Sequence, residues 1–278
     1  MKLAKAHGLG NDFLLVEDRD VPEDFGPWTR RLCDRHKGVG ADGVLRYKVE
    51  GSDVRMGLIN ADGGLVELSG NGVRCLAAYC VHSGWLSERH SVLTVSGPRG
   101  VHVRRLGPSA YQVETDLGVP GVKASEIPAV FHPPDAEILD HPLTVEGRAL
   151  RVTATSMGNP HCAVFVEQPA SDALIAALGP ALEHHALFPA RTNVEFVTVL
   201  GRGELRVRFW ERGVGPTQAS GTGSASAAVA AIRLGLADRA VRVLCDGGTL
   251  EMEWPVGGHL IQTGDVEVLF EGEWMVSS

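Results

Sequence analysis

The sequence lacks any run of 18 or more apolar residues, and its beginning, MKLAKAHGLGND, lacks the apolar core of a signal peptide. We therefore predict neither a membrane span nor a secretory leader, and we expect a cytoplasmic protein. Clusters of Lys and Arg are also missing, and the formal net charge is -8. This charge argues against nucleic acid as a partner and favours a small molecule.

Cysteine is scarce, and its spacing follows no metal-binding or disulfide pattern. The five cysteines are Cys33, Cys75, Cys80, Cys162 and Cys245. An odd, scattered set without CxxC is typical of a reducing compartment. Two adjacent histidines, His184 and His185, have no further ligands at a suitable spacing. We therefore predict no metal site.

The length and composition are those of a globular protein with one large or two medium domains. The chain has 278 residues, 44% of them hydrophobic and 22% charged. The stretch LGVPGVK near residues 117–124 has the Pro and Gly content of a linker. We predict a first domain formed by residues 1–118 plus about 265–278, and a second domain formed by residues 119–264.

An internal repeat supports this division. NADGGLVELSGNGVRCLAAYCVHSG (60–84) and ERGVGPTQASGTGSASAAVAAIRLG (211–235) align without a gap. In both, a polar residue stands nine positions before a serine, and a glycine follows fifteen positions after it. GLGNDFLLV (8–16) and SMGNPHCAVFV (156–166) repeat Gly-Asn before an apolar strand. The chain therefore reads as two copies of one fold.

Each copy reads as short β-strands around one apolar helix. Residues 72–82 and 223–234 are Ala-rich and apolar on nearly all sides, as in helices that are buried all round. Further helices are predicted at 27–36 and 170–178. Strands are predicted at 13–18, 54–60, 91–97, 101–106, 162–167, 193–200, 204–210, 241–245 and 265–270. The fold class is α/β, with two pseudo-symmetric domains, each a curled, mostly antiparallel or mixed sheet around a central helix.

Both repeats begin their helix with Ser-Gly-x-Gly, at Ser69 and Ser220. Serine is a favoured N-cap, so a purely structural role is one interpretation. The other is a ligand site, because a helix N-terminus offers unsatisfied N–H groups and the positive end of the helix dipole. If the two copies face each other, these helix starts would bind a carboxylate between two serines.

Six ordered motifs carry a resemblance to a known family. They are HGLGNDF, GVGADGVL, NADGGLVELSGNGVRC, MGNPHCAVF, RTNVEFV and ERGVGPTQASGTGSASA. In this order and over nearly the whole chain they resemble the diaminopimelate epimerase family. The resemblance implies a cofactor-independent isomerase that interconverts LL- and meso-diaminopimelate, in the lysine and peptidoglycan precursor pathway. It also implies a homodimer.

The resemblance further implies a two-base mechanism, in which one group removes the α-proton and another delivers a proton to the opposite face. Family members carry a cysteine before each Gly-x-Gly, where this chain has Ser69 and Ser220. His161 and Glu211 match residues that assist the bases, and Arg212 matches the residue that binds the distal carboxylate. The other implied substrate-binding residues are Asn11, Asn60, Gly70, Asn71, Asn159, Asn193, Gly221 and Thr222.

Serine in place of cysteine predicts weak or absent activity. A cysteine pKa of about 8.5 is lowered further at a helix N-terminus, whereas a serine hydroxyl is a far weaker acid. The helix dipole supplies ~1 kcal/mol, less than one pKa unit of roughly 1.4 kcal/mol. Three explanations stay open: the serines are engineered replacements, the chain is a racemase or dehydratase relative with serine-based chemistry, or it is a non-catalytic amino-acid-binding protein.

Overall fold

The computed structural model describes residues 1–66 and 69–275. The chain divides into two compact units. The first unit holds Met1–Asp116 and the chain from Thr263 onward, and the second holds Leu117–Gln262. None of the helices in the described residues has both the length and the hydropathy that a bilayer span requires.

In the described residues, each unit contains two α-helices. The first unit has α1 (Phe25–Cys33) and α2 (Gly70–His82). The second unit has α3 (Asp172–Glu183) and α4 (Gly221–Arg233). All four overlap the predicted helices.

Two of the helix C-terminal ends differ by three or more residues from the predicted ones. Helix α1 ends at Cys33 rather than at residue 36, because the Asp34 carboxylate accepts the backbone N–H groups of His36 and Lys37, both at 2.8 Å. Helix α3 extends beyond residue 178 to Glu183, because Leu182 buries its side chain in the core of the second unit.

The strands of the first unit form a mixed sheet. They are β1 (Lys2–Gly8), β2 (Asn11–Glu17), β3 (Gly43–Glu50), β4 (Asp53–Asn60), β5 (Leu65–Val66), β6 (Arg89–Thr94), β7 (Gly97–Arg105) and β8 (Ala110–Asp116). The pairs β2–β3 and β4–β6 are parallel, while β1–β2, β3–β4, β6–β7 and β7–β8 are antiparallel.

The second unit repeats this pattern. Its strands are β9 (His141–Val145), β10 (Arg148–Ser156), β11 (Pro160–Phe165), β12 (Asn193–Gly201), β13 (Glu204–Glu211), β14 (Gly215–Thr217), β15 (Ala240–Cys245) and β16 (Gly248–Glu253). The pairs β11–β12 and β13–β15 are parallel, while β10–β11, β12–β13 and β15–β16 are antiparallel. The last strand, β17 (Ile261–Glu273), begins in the second unit and pairs with β1 in the first.

The two central helices, α2 and α4, are buried along their length. Strands of the same unit pack against several sides of each helix. Ala77 and Ala78 of α2 and Ala227 and Ala228 of α4 have no exposed surface. Small side chains let the strands approach closely, and burial on all sides requires an apolar helix. The predicted fold class, an α/β fold of two similar units with a central helix in each, is confirmed.

Candidate active-site residues

Ser69 and Ser220 are the N-caps of the two central helices and share one backbone conformation. Their φ and ψ angles are -133° and 120° for Ser69 and -131° and 123° for Ser220. Ser69 Oγ accepts the backbone N–H of Gly72 at 3.1 Å, and Ser220 Oγ accepts that of Gly223 at 3.2 Å. Each hydroxyl therefore satisfies one helix donor and keeps its own proton available to another acceptor.

In the first unit, a chain of side-chain amides lies beside the start of α2. Asn71 Nδ2 donates to Asn11 Oδ1 at 3.1 Å, and Asn11 Nδ2 donates to Asp42 Oδ2 at 2.7 Å. The buried Arg74 donates to Asn71 Oδ1. These bonds fix the orientation of both amides.

An ion cluster supports this amide chain. Arg35 binds both Asp12 Oδ1, at 2.7 Å, and Asp42 Oδ1, at 2.8 Å, while Lys5 Nζ lies 2.9 Å from Asp12 Oδ2. Burial raises the pKa of Asp12, but the hydrogen bonds from Arg35 and Lys5 outweigh it and lower the pKa to about 2. Asp12 is therefore a structural anion and a poor base.

Asn60 is the last residue of β4, at a tight turn. Its backbone N–H donates to Gly64 O and its carbonyl accepts from Gly63 N, both at 2.8 Å. Its side chain is partly exposed, and the residue lies opposite Gly43 on β3. Gly70 begins α2 in the same unit.

In the second unit, His161 lies between an amide and a buried carboxyl group. Its Nδ1 is 2.7 Å from Glu195 Oε1, and its Nε2 is 3.0 Å from Asn159 Oδ1. His161 and Glu195 are 0% and 1% exposed. Because an amide oxygen accepts, Nε2 carries a proton, and a second proton lies between Nδ1 and Glu195. His161 and Glu195 therefore hold one proton that can move between nitrogen and oxygen.

The carboxyl of Glu211 is the second acid in this unit. It accepts a hydrogen bond from Thr217 Oγ1 at 2.7 Å. Burial raises the pKa of Glu211, although hydrogen bonds from Thr217 and Ser220 act in the opposite direction. Burial likewise raises the pKa of Glu195, opposed by His161. Both groups are shifted toward the range where a carboxyl can exchange protons near neutral pH.

The loop that carries Arg212 is anchored from both sides. Asn193 Oδ1 accepts the Arg212 backbone N–H at 3.0 Å, and Asn193 Nδ2 donates to Pro160 O at 2.9 Å. The buried Glu183 accepts the N–H of Gly213 at 2.9 Å. The Arg212 guanidinium donates to a backbone carbonyl, Ala190 O, at 3.2 Å. No carboxylate in the described residues forms an ion pair with Arg212, so its charge is available to an anionic ligand.

The structure brings the predicted residues together in two groups. In the first unit, Asn11 and Asn71 are joined by a hydrogen bond next to the Ser69 cap. In the second, Asn159 is joined to His161, and Asn193 to Arg212. Gly221 and Thr222 follow Ser220 in the first turn of α4, where Gly221 O accepts from Gln262 at 2.7 Å.

Sequence reasoning missed several residues that shape these groups: Glu195, Glu183, Asp12, Asp42, Arg35 and Lys5. For Glu195 a signal existed, because it is the one acidic residue inside the apolar strand segment NVEFVTVL. A charge at such a position requires a buried partner. Nothing in the sequence, however, assigned His161 as that partner.

A search of solved structures shows the same fold elsewhere. The chain superposes on a predicted epimerase from Pseudomonas aeruginosa with a TM-score of 0.70, and the match covers 99% of each chain at 18% identity. At 18% identity, this structural similarity establishes the fold alone. This fold, two similar α/β units with a buried central helix in each, defines a class of duplicated α/β proteins.

Sequence comparison narrows this class to one family. The family model described as diaminopimelate epimerase matches residues 3–121 and 153–269. The chain is 41% identical to diaminopimelate epimerase 1 from Nostoc sp., over 98% of this chain and 99% of that protein. It is 42% identical to a diaminopimelate epimerase from Pelotomaculum thermopropionicum, over 99% of each. The chain belongs to the diaminopimelate epimerase family, as its six motifs predict.

Proposed function

We propose that this protein is a cofactor-independent isomerase that interconverts LL- and meso-diaminopimelate, in the synthesis of lysine and peptidoglycan precursors. The observation that carries the proposal is the identity of about two residues in five with curated diaminopimelate epimerases over nearly the full chain. Arg212 supports it, because the substrate has a second carboxylate and this guanidinium has no ion-pair partner among the described residues.

The proposed chemistry inverts one α-carbon. A group on one face removes the α-proton, and a group on the other face returns a proton. Each unit supplies one helix start for this task, and Ser69 and Ser220 occupy the two positions. Backbone N–H groups at Gly70, Asn71, Gly221 and Thr222 would bind the reacting α-carboxylate, since a helix N-terminus stabilises an anion.

The remaining predicted residues have roles in binding and proton transfer. The amides of Asn11, Asn60, Asn159 and Asn193 both donate and accept, which fits the ammonium and carboxylate groups of an amino acid. His161 and Glu211 assist the two bases. The two domains of the enzyme correspond to residues 1–118 with about 265–278, and to 119–264.

Serine makes the proposed reaction slow. A thiol with a pKa of about 8.5 ionises near neutral pH, whereas a serine hydroxyl requires a strong adjacent base. Every pKa unit between the two adds roughly 1.4 kcal/mol to the cost of forming the anion. Both serines already serve as helix caps, so the fold does not need a thiol at either position.

The proposal includes a cytoplasmic homodimer. All five cysteines lie in the described residues as buried thiols, which suits a reducing compartment. Leu269 and Phe270 on β17 are adjacent and 45% and 43% exposed. Exposed adjacent apolar side chains of this size favour an interface between copies of the chain.

The test follows α-deuterium incorporation and stereoisomer conversion of LL-diaminopimelate in D2O, by NMR and chiral chromatography. The protein with Ser69 and Ser220, called here the protein as written, is compared with its Ser69→Cys/Ser220→Cys variant. We expect the double-cysteine variant to convert the isomers at least 10²-fold faster, because thiols replace hydroxyls at both bases. If the folded variant neither exchanges nor converts, the diaminopimelate assignment is wrong.

Two alternatives have distinct signatures in the same experiment. A racemase or dehydratase relative with serine-based chemistry would act on another amino acid, with water loss or α-exchange there and none with diaminopimelate. A non-catalytic amino-acid-binding protein would bind diaminopimelate in calorimetry, and its double-cysteine variant would stay inactive.

A further inference from the structure

We infer that the two units have unequal acid–base capacity, so that the protein as written exchanges the α-proton of one diaminopimelate stereoisomer with solvent without inverting it. The second unit carries out this exchange, and the first unit supplies no proton to the opposite face. The inference rests on the proposed function, and it concerns what the serine-containing chain does.

The strand registers identify equivalent positions in the two units. In the first unit, Gly43 lies opposite Phe13 on β2 and opposite Asn60 on β4. In the second unit, Asn193 lies opposite His161 on β11. Its neighbour Val194 lies opposite Trp210, which places Glu211 at the position equivalent to Asn60. The sequence repeat agrees, because Asn60 and Glu211 each stand nine residues before their serine.

By the same registers, His161 in the second unit is equivalent to Phe13 in the first, and Glu195 is equivalent to Leu45. Leu45 stands two residues after Gly43, as Glu195 stands two residues after Asn193. Imidazole and carboxyl groups in the second unit thus correspond to a buried aromatic ring and a buried aliphatic chain in the first, 3% and 0% exposed.

The space around the helix starts gives independent support for this correspondence. A Cβ added to Gly223 in α4 would lie 3.0 Å from both Glu195 Oε1 and Ser220 Oγ. A Cβ added to the equivalent Gly72 in α2 would lie 3.0 Å from Leu45 Cδ2 and 3.5 Å from Ser69 Oγ. A carboxyl oxygen and the Ser220 hydroxyl therefore both border the Gly223 position, whereas a methyl group and the Ser69 hydroxyl border the equivalent Gly72 position.

Among the described residues, the charged groups beside the start of α2 do not replace the missing base. Among the described residues of the first unit, the carboxylates that support the amide chain are Asp12 and Asp42, and Arg35 binds both. Lys5 binds Asp12 as well. Against the effect of burial, the hydrogen bonds from Arg35 and Lys5 lower the pKa of Asp12, so Asp12 holds its charge and accepts a proton poorly. At the Asn60 position itself, an amide neither takes nor gives a proton near neutral pH.

The protein groups that transfer protons in the proposed exchange step all belong to the second unit. The Cα–H bond breaks, and its electron pair stays on the substrate, delocalised into the α-carboxylate that the helix N–H groups stabilise. Ser220 Oγ takes the α-proton while its own proton passes to a Glu211 oxygen. Glu211 then exchanges that proton with solvent, and the reverse step returns a deuteron from D2O to the same face. The configuration is retained, and no co-reactant is consumed.

The first experiment incubates the protein as written with LL-diaminopimelate and, separately, with meso-diaminopimelate in D2O. We expect α-deuterium to enter one of the two isomers and the isomers not to interconvert on the same timescale. Glu211→Gln should slow this exchange about 10²-fold, the typical contribution of a general base. Exchange into both isomers, or into neither, would overturn the inference.

Single cysteine variants then separate the two faces. Ser69→Cys gives the first unit a proton donor and should start interconversion, because the second unit already removes a proton. Ser220→Cys should raise exchange but leave interconversion at least tenfold below that of Ser69→Cys. Equal increases in the interconversion rate from the two variants would contradict the inference that the two units have unequal acid–base capacity.

Failure of the inference is distinguishable from failure of the proposed function. If Ser69→Cys/Ser220→Cys interconverts the isomers while the protein as written exchanges neither, the function stands and the inference is wrong. If the double variant also catalyses neither exchange nor interconversion, the proposed function is wrong. Circular dichroism and an unfolding transition for each variant establish that it is folded.

Discussion

At the scale of single residues, partners decide whether a buried carboxyl is an anion or an acid. Asp12 has two cationic partners and its pKa is lowered to about 2. Glu195 has one imidazole, Glu211 has hydroxyl donors, and burial raises the pKa of both. The same residue class thus stabilises structure in the first unit and can move protons in the second.

Asp12→Asn tests the first of these roles. Because the folded pKa of Asp12 is lower than the unfolded value of 3.8, its stabilisation is complete above pH 3.8 and is lost as the pH falls toward 2. We expect the substitution to lower the free energy of unfolding at pH 7 by about 2 kcal/mol, measured by urea denaturation. The difference in unfolding free energy between the unsubstituted protein and Asp12→Asn should be smaller at pH 3 than at pH 7.

Asp238→Asn is the matched control for this experiment. Asp238 pairs with Arg202 at 2.8 Å, but the two side chains are 57% and 64% exposed. An exposed pair of this kind contributes about 0–1 kcal/mol, because solvent screens it. Equal losses from the two substitutions would show that the partners of Asp12 are not what stabilises the fold.

At the scale of elements, the serine caps give the two central helices a defined start. A serine oxygen accepts a helix N–H well, and a thiol sulfur accepts it weakly. The helix positions were predictable, because apolar composition on all sides and a Ser-Gly-x-Gly entry are local features. The end of α1 was not predicted, because a side chain of Asp34 terminates it.

Cysteine at the caps should therefore destabilise the protein while it activates the chemistry. We expect Ser69→Cys and Ser220→Cys each to cost up to about 1 kcal/mol of unfolding free energy in urea. Ser171→Cys is the matched control, because Ser171 caps α3 through Leu174 N at 3.2 Å and has no proposed catalytic role. It should cost a similar amount and leave the rate of exchange unchanged. A stability gain at Ser69 or Ser220 would contradict the capping role.

At the scale of the whole molecule, the two units are alike in fold and differ in the side chains at equivalent positions. Both units have a mixed sheet, a buried central helix and a serine cap. His161, Glu195 and Glu211 of the second unit stand at the positions of Phe13, Leu45 and Asn60 in the first. The fold is therefore preserved while acid–base side chains at these positions give way to an aromatic ring, an aliphatic chain and an amide.

The proposed homodimer is tested at this scale by sedimentation velocity. We expect a particle of twice the 29.6-kDa chain mass for the protein as written. Leu269→Asp/Phe270→Asp should produce the monomer, because charge at both positions opposes burial between two copies. Val256→Asp, at a position that is 82% exposed in the second unit, should leave the mass unchanged. A monomer at micromolar concentration before any substitution would contradict the dimer.

The sequence by itself determined the family, the fold class and the positions of Ser69 and Ser220, because ordered motifs and an internal repeat are readable in one dimension. It also predicted most of the helices and many strands, since hydrophobic pattern and turn residues act locally. The tertiary structure decided which side chains act together. Glu195 contacts His161 because β11 and β12, which α3 separates in sequence, pair at one register. Arg35, in the turn after α1, contacts Asp12 on β2. Contacts between segments that are distant in sequence leave no local pattern.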